Sequence, residues 1–277
     1  GIAANLGRWL AAARKAASEI VYNPVANLRL LPSPRRTCGV GKVEQSSPLS
    51  SLSTASSDAI AARLAEAIHQ HRVLPGTKLS EDEVGEVYGV SRTVVRAAFQ
   101  RLAHDHLIVL KRNRGAFVAQ PSASEAQEVF DARQILEPRT ACLAAERATR
   151  ADIDRLAGHI AMEQAALAAG DTGRALYLSG GFHVEVARLA GQSIICEFVA
   201  SLVSRSSLII ALYWQRRQAI CDSHAHGDLL HAMAAGDGAR AEIAMAHHLS
   251  DLLSSLDLSR PALPAGSLRE ALTSHRS

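Results

Sequence analysis

Three groups of side chains in this 277-residue chain could do chemistry. The first is Ser91-Arg92-Thr93-Val94-Val95-Arg96, where two guanidiniums and a hydroxyl fall within the first turn and a half of a candidate helix. Arg can donate two hydrogen bonds to a guanine edge, and Thr can meet a base, a thymine methyl or a phosphate. The second is the basic turn Lys111-Arg112-Asn113-Arg114, set between two β-prone runs, Leu107–Leu110 and Ala116–Ala119. Such a hairpin tip can reach phosphates or the minor groove. The third is His183, His226 and His248, each on a different candidate helix. Imidazoles from separate helices of a bundle can converge on a divalent metal. Spacing alone does not show convergence. With 12 His in the chain, surface or satisfied core positions fit these residues too, as they fit His224, His231 and His247.

The elements that must position the first two groups are legible. Ile60, Leu64, Ala67 and Ile68 form one apolar stripe of a helix. Val73-Leu74-Pro75-Gly76-Thr77 reads as a turn. Ser80 and Glu83 have the spacing of a capping box, which starts a helix at Glu81, and Gly89 suits a left-handed C-terminal cap. Ser91 caps the next helix, which runs to about His104 and is held by Val94, Val95, Ala98, Phe99 and Leu102. A helix, a tight turn, a second helix with basic residues on its first turn and a two-stranded ribbon form a winged helix-turn-helix, whose second helix enters the DNA major groove. The net charge of +3 says little by itself. Its distribution says more: Arg92, Arg96, Arg101, Lys111, Arg112 and Arg114 face only Asp105 over the same stretch.

Apolar residues make up 48% and aromatics only 4%, a bias toward helices packed on helices. After Pro121 the pattern is all helix. Ser124 is placed to cap a helix bearing Val129, Phe130, Arg133 and Leu136, with a kink or restart at Pro138. Further helices read from about Asp152 to Ala169, Thr172 to Leu189, Ser193 to Trp214, Ser223 to Ala235 and Gly238 to Leu256. Short Gly-containing connections imply an antiparallel bundle. The expected architecture is mainly α, with a winged helix-turn-helix over 57–120 and an all-helical bundle over 121–258. Residues 1–56 read as a poorly ordered extension ending in a Ser-rich linker, although Trp9 to Val21 could also form a basic amphipathic helix. Residues 259–277, with Pro261, Pro264 and Gly266, read as a flexible tail. Cys38, Cys142, Cys196 and Cys221 are widely spaced, which suits a reduced intracellular protein. No run of about 18 uninterrupted apolar residues occurs, so no membrane partner is expected.

Leu74-Pro75-Gly76-Thr77-Lys78-Leu79-Ser80-Glu81, Gly89-Val90-Ser91-Arg92-Thr93 and Arg114-Gly115-Ala116-Phe117-Val118 resemble the DNA-binding domain of the GntR family of bacterial transcription regulators, over about residues 57–119. The resemblance implies a dimer on a palindromic operator of double-stranded DNA, a cytoplasmic location and a separate effector domain. It makes Arg92, Thr93, Arg96, Arg114 and Gly115 the DNA-contacting candidates. The sequence departs from the family pattern at Val94 (usually Pro), Ala97 (usually Glu) and His106 (usually Gly).

The second half resembles the FCD effector domain of the FadR subfamily, over about residues 124–256. Arg133 and Glu137, Gly181-Phe182-His183, His226 leading to Ala234-Ala235-Gly236-Asp237, and His248-Leu249 carry that resemblance. Many such domains hold a metal through three His and an Asp four residues before the first; the matching positions here are His183, His226 and His248, with Ser179 in place of the Asp. Loss of the carboxylate weakens hard cations most. Three imidazoles could still hold Zn²⁺ or Ni²⁺ with an open position, or the site could work without metal through hydrogen bonds. Arg133 is the candidate for gripping a small carboxylate effector, because its guanidinium is a bidentate fork, with Ser179 beside it. The reading is a DNA-binding regulator, expected to be a repressor, and not an enzyme. The competing reading is a metal-dependent hydrolase or lyase built on the three His. No H-E-x-x-H or similar base-bearing motif lies near them to support it.

Overall fold

The computed structural model describes residues 56–214, 223–259, 261 and 268–273. The N-terminal extension and most of its Ser-rich linker, with Cys38 and Cys221, lie outside the described residues.

The N-terminal domain is built from caps inward. Helix α1 (Ser57–His69) starts where Ser56 Oγ accepts from the Ala59 amide at 3.2 Å. Strand β1 (Lys78–Leu79) leads into α2 (Glu81–Tyr88), which Ser80 caps by accepting from the Glu83 amide at 3.3 Å. Gly89 closes α2 at φ 65°, a left-handed conformation that costs glycine little. Ser91 caps α3 (Arg92–His104), and the wing follows as β2 (Ile108–Lys111) and β3 (Gly115–Val118). The sheet is antiparallel in the order β1-β3-β2, with Leu110 opposite Ala116 and Lys78 opposite Phe117. Strand β1 was not foreseen: two residues are too few for a period-2 pattern. Val95, Ala98, Phe99 and Leu102 turn one face of α3 into the core with Ile60, Leu64 and Ile68. Full burial of such side chains contributes about 1.5–3 kcal/mol each, and leaves the opposite face of α3 for ligands.

The second domain is a bundle of α4 (Ala123–Arg147), α5 (Arg150–Ala168), α6 (Thr172–Leu189), α7 (Ser193–Tyr213), α8 (Ser223–Ala234) and α9 (Gly238–Ser254). Ser122, not Ser124, caps α4, in a reciprocal capping box with Glu125. In Ser122-Ala123-Ser124 both serines have a Glu or Gln three positions on; Ser122 exchanges bonds with Glu125, while Ser124 Oγ donates to Glu128 Oε1 at 3.4 Å. Nor does Pro138 break the helix: α4 runs through it. An interior Pro costs about 3 kcal/mol, which the packing of α4 on α6, α7 and α9 offsets. By length and composition α7 is apolar enough to cross a membrane. In the bundle it buries Val199, Val203, Ile209 and Leu212.

The two domains are packed together rather than strung on a linker. Leu208 of α7 is buried in the core of the N-terminal domain. His69 Nε2 lies 2.9 Å from Ser204 Oγ, and His71 Nε2 lies 3.0 Å from the Ser207 carbonyl. Gly173, at the start of α6, faces the Gln70 carbonyl so closely that a Cβ would sit 2.1 Å from its oxygen. The C-terminal segment also departs from expectation. Residues Leu268–Thr273 form helix α10, with Leu268 and Leu272 buried in the N-terminal core. Arg72 Nη1 donates to the Ala271 carbonyl at 3.0 Å, and Arg269 pairs with Glu86 of α2. Proline and glycine between 261 and 266 obscure this short helix in the sequence.

Candidate functional site

The DNA-reading candidates share one surface. Arg92, Thr93 and Arg96 are exposed on the first turns of α3, and Arg114 and Gly115 are exposed at the wing tip. Asn113 at φ 59° and Gly115 at φ 93° make the tight wing turn. His106, where the family pattern has Gly, itself adopts a left-handed φ of 58°. The backbone geometry there is kept without the glycine. Acids on the first turn of α2 hold both candidate arginines: Asp82 Oδ1 lies 2.5 Å from Arg92 Nε, and both Glu81 oxygens accept from Arg96 Nε at 2.9 and 2.8 Å. Lys111, Arg112 and Arg114 keep the wing basic.

In the bundle, α6, α8 and α9 bring His183, His226 and His248 together. One ligand nitrogen from each lies within 4.8 Å of the others, and all three rings are buried. His183 Nε2 is 3.2 Å from His248 Nε2. His226 Nε2 is buried with no hydrogen-bond partner among the described residues. The opposite ring edges are fixed by carboxylates: Glu137 Oε2 lies 2.6 Å from His183 Nδ1, and Glu163 Oε2 lies 3.0 Å from His226 Nδ1. A carboxylate accepting at Nδ1 sets the tautomer that turns the Nε2 lone pair inward, the arrangement that metal-ligating imidazoles use. Burial pushes His183 down to about 4, against the pull of Glu137. Burial pushes His248 well below its ordinary range as well. Three converging imidazole nitrogens fit a borderline cation such as Zn²⁺ or Ni²⁺. His231 and His247, by contrast, are exposed; the side chain of His224 lies outside the described set.

Arg133 is 2% exposed and already engaged. Its Nε donates to Glu137 Oε1 at 2.5 Å, Nη2 to Glu137 Oε2 at 3.3 Å, and Nη1 to Ser206 Oγ at 3.0 Å. Burial alone would raise the Glu137 carboxyl, but Arg133 and His183 outweigh it and hold the group at about 2. Three of the five guanidinium N–H groups are thus used. Arg133, Ser179 and His183 line a cavity of about 1060 Å³.

Glu163 and Ser206 were missed in the sequence. Glu163 did leave a signal, as a carboxylate in register with the buried Ile153, Leu156 and Ile160 of α5. Ser206 left none, being one of several serines on α7. Among the described residues, the carboxylates that touch the His cluster, Glu137 and Glu163, are committed to Nδ1 atoms.

Comparison with known proteins agrees with this layout. Residues 56–118 match the model of the bacterial regulatory proteins of the gntR family, and residues 128–251 match the FCD domain. The chain is 28% identical to the HTH-type transcriptional regulator LutR of Bacillus subtilis (strain 168), over 64% of this chain and 90% of that protein. It is 31% identical to the galactonate operon transcriptional repressor of Escherichia coli (strain K12), over 36% of this chain and 52% of that protein. The crystal structure of a GntR regulator from Rhodococcus sp. RHA1 superposes with a TM-score of 0.63 at 26% identity, covering 72% of this chain and 95% of that one. With the two matches accounting for both halves of the described fold, the chain is a transcriptional regulator of the GntR family with an FCD domain.

Proposed function

We propose that this regulator is a cytoplasmic repressor that binds a palindromic operator as a homodimer and responds to a small carboxylate. In this reading Arg92, Thr93 and Arg96 read base edges, while Arg114 and Gly115 seat the wing on the backbone. Arg133 and Ser179 hold the effector, and His183, His226 and His248 hold a divalent ion. An ion there would supply a positive charge with an open coordination position for an acid's oxygen. The observation that carries the reading is the convergence of three buried imidazole nitrogens within 4.8 Å, one ring sharing a cavity wall with Arg133.

An effector acts by binding the DNA-competent and DNA-incompetent arrangements with different affinity. The relative named for the galactonate operon makes sugar acids sensible first probes and is itself named a repressor. Metal analysis of protein purified without chelators, compared with His183→Ala, tests the ion. Stoichiometric Zn or Ni in the parent and a large loss in the variant are expected; equal content in both refutes the three-His site. Footprinting on the DNA beside the protein's own gene tests the reader, and unchanged protection by an Arg92→Ala/Arg96→Ala double variant refutes that assignment.

A further inference from the structure

The cavity that contains Arg133 and His183 does not belong to the bundle alone. His69 and His71, at and just beyond the end of α1, are part of its wall, together with His106 and Leu107 next to the wing. His69 is buried, stacked on Tyr177 with ring centroids 6.4 Å apart. It meets Ser204 Oγ at 2.9 Å, while His71 is held at φ 54° against Ser207. Ser204 and Ser207 flank Ser206, the acceptor of the Arg133 Nη1 bond at 3.0 Å, and Leu208 follows into the N-terminal core. Within residues 204–208 of α7, Ser206 therefore meets the candidate carboxylate-binding arginine, while Ser204, Ser207 and Leu208 meet the DNA-binding domain.

We propose that the effector site is shared between the two domains, with His69 and His71 of the DNA-binding domain contacting the body of an acid whose carboxylate is held at Arg133. The inference rests on the carboxylate-responsive reading above and adds residues that reading does not use. Two features set the ligand class. The cavity, at about 1060 Å³ and opening to the surface at the exposed Ile194 and Phe198, has room for an acid larger than three carbons. Its wall also carries hydroxyls and imidazoles (Ser201, Ser204, Ser207, His69 and His71) beside apolar Val184 and Phe198, with the charged Arg101, Asp105 and Glu197 elsewhere on it. Burial pulls His69 down to about 4, so at neutral pH its ring is uncharged and can both donate and accept. A polyhydroxylated six-carbon acid satisfies both features. Its hydroxyls would exchange partners with Ser204, Ser207, His69 and His71, the same groups that fasten the DNA-binding domain to α7. Ligand occupancy would then act on the inter-domain fastening itself rather than through a remote relay.

The test uses the full chain, with D-galactonate, D-gluconate and L-lactate as probes. Titration calorimetry reads affinity, and fluorescence anisotropy on a footprinted operator reads the coupled change in DNA binding. The variants are Ser204→Ala, His71→Asn (Asn tolerates the left-handed backbone) and Arg133→Lys, each checked by thermal melting. A six-carbon acid is expected to bind the parent more tightly than L-lactate. Ser204→Ala and His71→Asn should each weaken it about ten-fold, the scale of one lost hydrogen bond, and shrink the acid's effect on operator affinity. If both variants bind the acid like the parent while Arg133→Lys loses it, the shared wall is overturned and the carboxylate reading stands. If Arg133→Lys binds like the parent, or none of the three acids binds, the carboxylate reading falls and this inference falls with it.

Discussion

Glu163 on α5 and His226 on α8 are joined across the bundle: the carboxylate Oε2 lies 3.0 Å from the ring Nδ1, while Nε2 of the same ring is buried without a hydrogen-bond partner among the described residues. The bond fixes which nitrogen carries the proton and aims the other at His183 and His248. Glu163→Gln removes the charge that fixes this tautomer, so Zn²⁺ affinity should fall about 10–100-fold, the usual cost of losing such a partner. Competition with a chromophoric zinc chelator measures it, and unchanged affinity would show that Glu163 does not orient a ligand.

Glu137 carries two buried partners, Arg133 and His183, and is itself fully buried. Glu137→Ala strands the guanidinium in the bundle without a counter-charge. Breaking a buried pair from one side costs about 3–5 kcal/mol, so the urea midpoint should fall well below that of the parent. Substitution of Arg133 and Glu137 together by Met and Leu should recover much of the loss. A double variant no more stable than Glu137→Ala would count against a simple buried pair.

The pH dependence follows from His69. Burial pulls its pKa from 6.5 to about 4 in the fold. Between those values the unfolded chain binds the proton and the folded chain does not, so stability drops as pH falls from about 6.5 to about 4 and this contribution is flat below. The full span amounts to about 3 kcal/mol. Denaturant melts of the parent and His69→Asn across that window should show a shallower slope in the variant, and parallel slopes would contradict the assignment.

At the proposed DNA interface, Glu81 accepts twice from Arg96 and Asp82 pairs with Arg92. If the arginines contact the operator as proposed, these acids compete with it for them. Glu81→Gln should therefore tighten operator binding several-fold at low salt, an advantage that shrinks as salt screens it. Arg114→Ala should weaken binding evenly across sequences and reduce the slope of log affinity against log salt by about 1. A sequence-selective loss for Arg114→Ala would instead place this residue on a base.

Gly173→Ala would gain helix propensity in isolation, yet its Cβ would lie 2.1 Å from the Gln70 carbonyl oxygen. Backbone on one side and helix on the other leave little room to yield, so the clash wins, at about 1–3 kcal/mol. Hydrogen exchange should speed up at the end of α1 while the bundle core stays protected. Unchanged exchange at Gln70 and His71 would mean that the junction is looser than the contact implies.

The DNA-binding half was legible because its signals are local. Ser80, Gly89 and Ser91 act within three residues of themselves, and each caps the helix its sequence position implies. The His cluster was legible only as a possibility, since His183, His226 and His248 converge through the packing of α6, α8 and α9 rather than through any spacing. The roles of Glu163 and Ser206 depend on what faces them across the bundle. A lone acid on α5 could as well have faced solvent, and nothing marks Ser206 among its serine neighbours. Helix α10 escaped for a different reason: it is short, lies behind proline and glycine, and owes its burial to a surface formed some two hundred residues earlier in the chain.

Leu208 belongs by sequence to the bundle and by packing to the DNA-binding domain. The reader is therefore not a portable cassette. Cut out as residues 56–120, it would lack a piece of its own interior and expose apolar surface where α7 normally sits. Chimeras that exchange readers between regulators of this architecture would need to carry the matching face of α7 with them. Substitution is sterically freer at the exposed Arg92 and Arg96 than at the apolar positions packed in one core with Leu208.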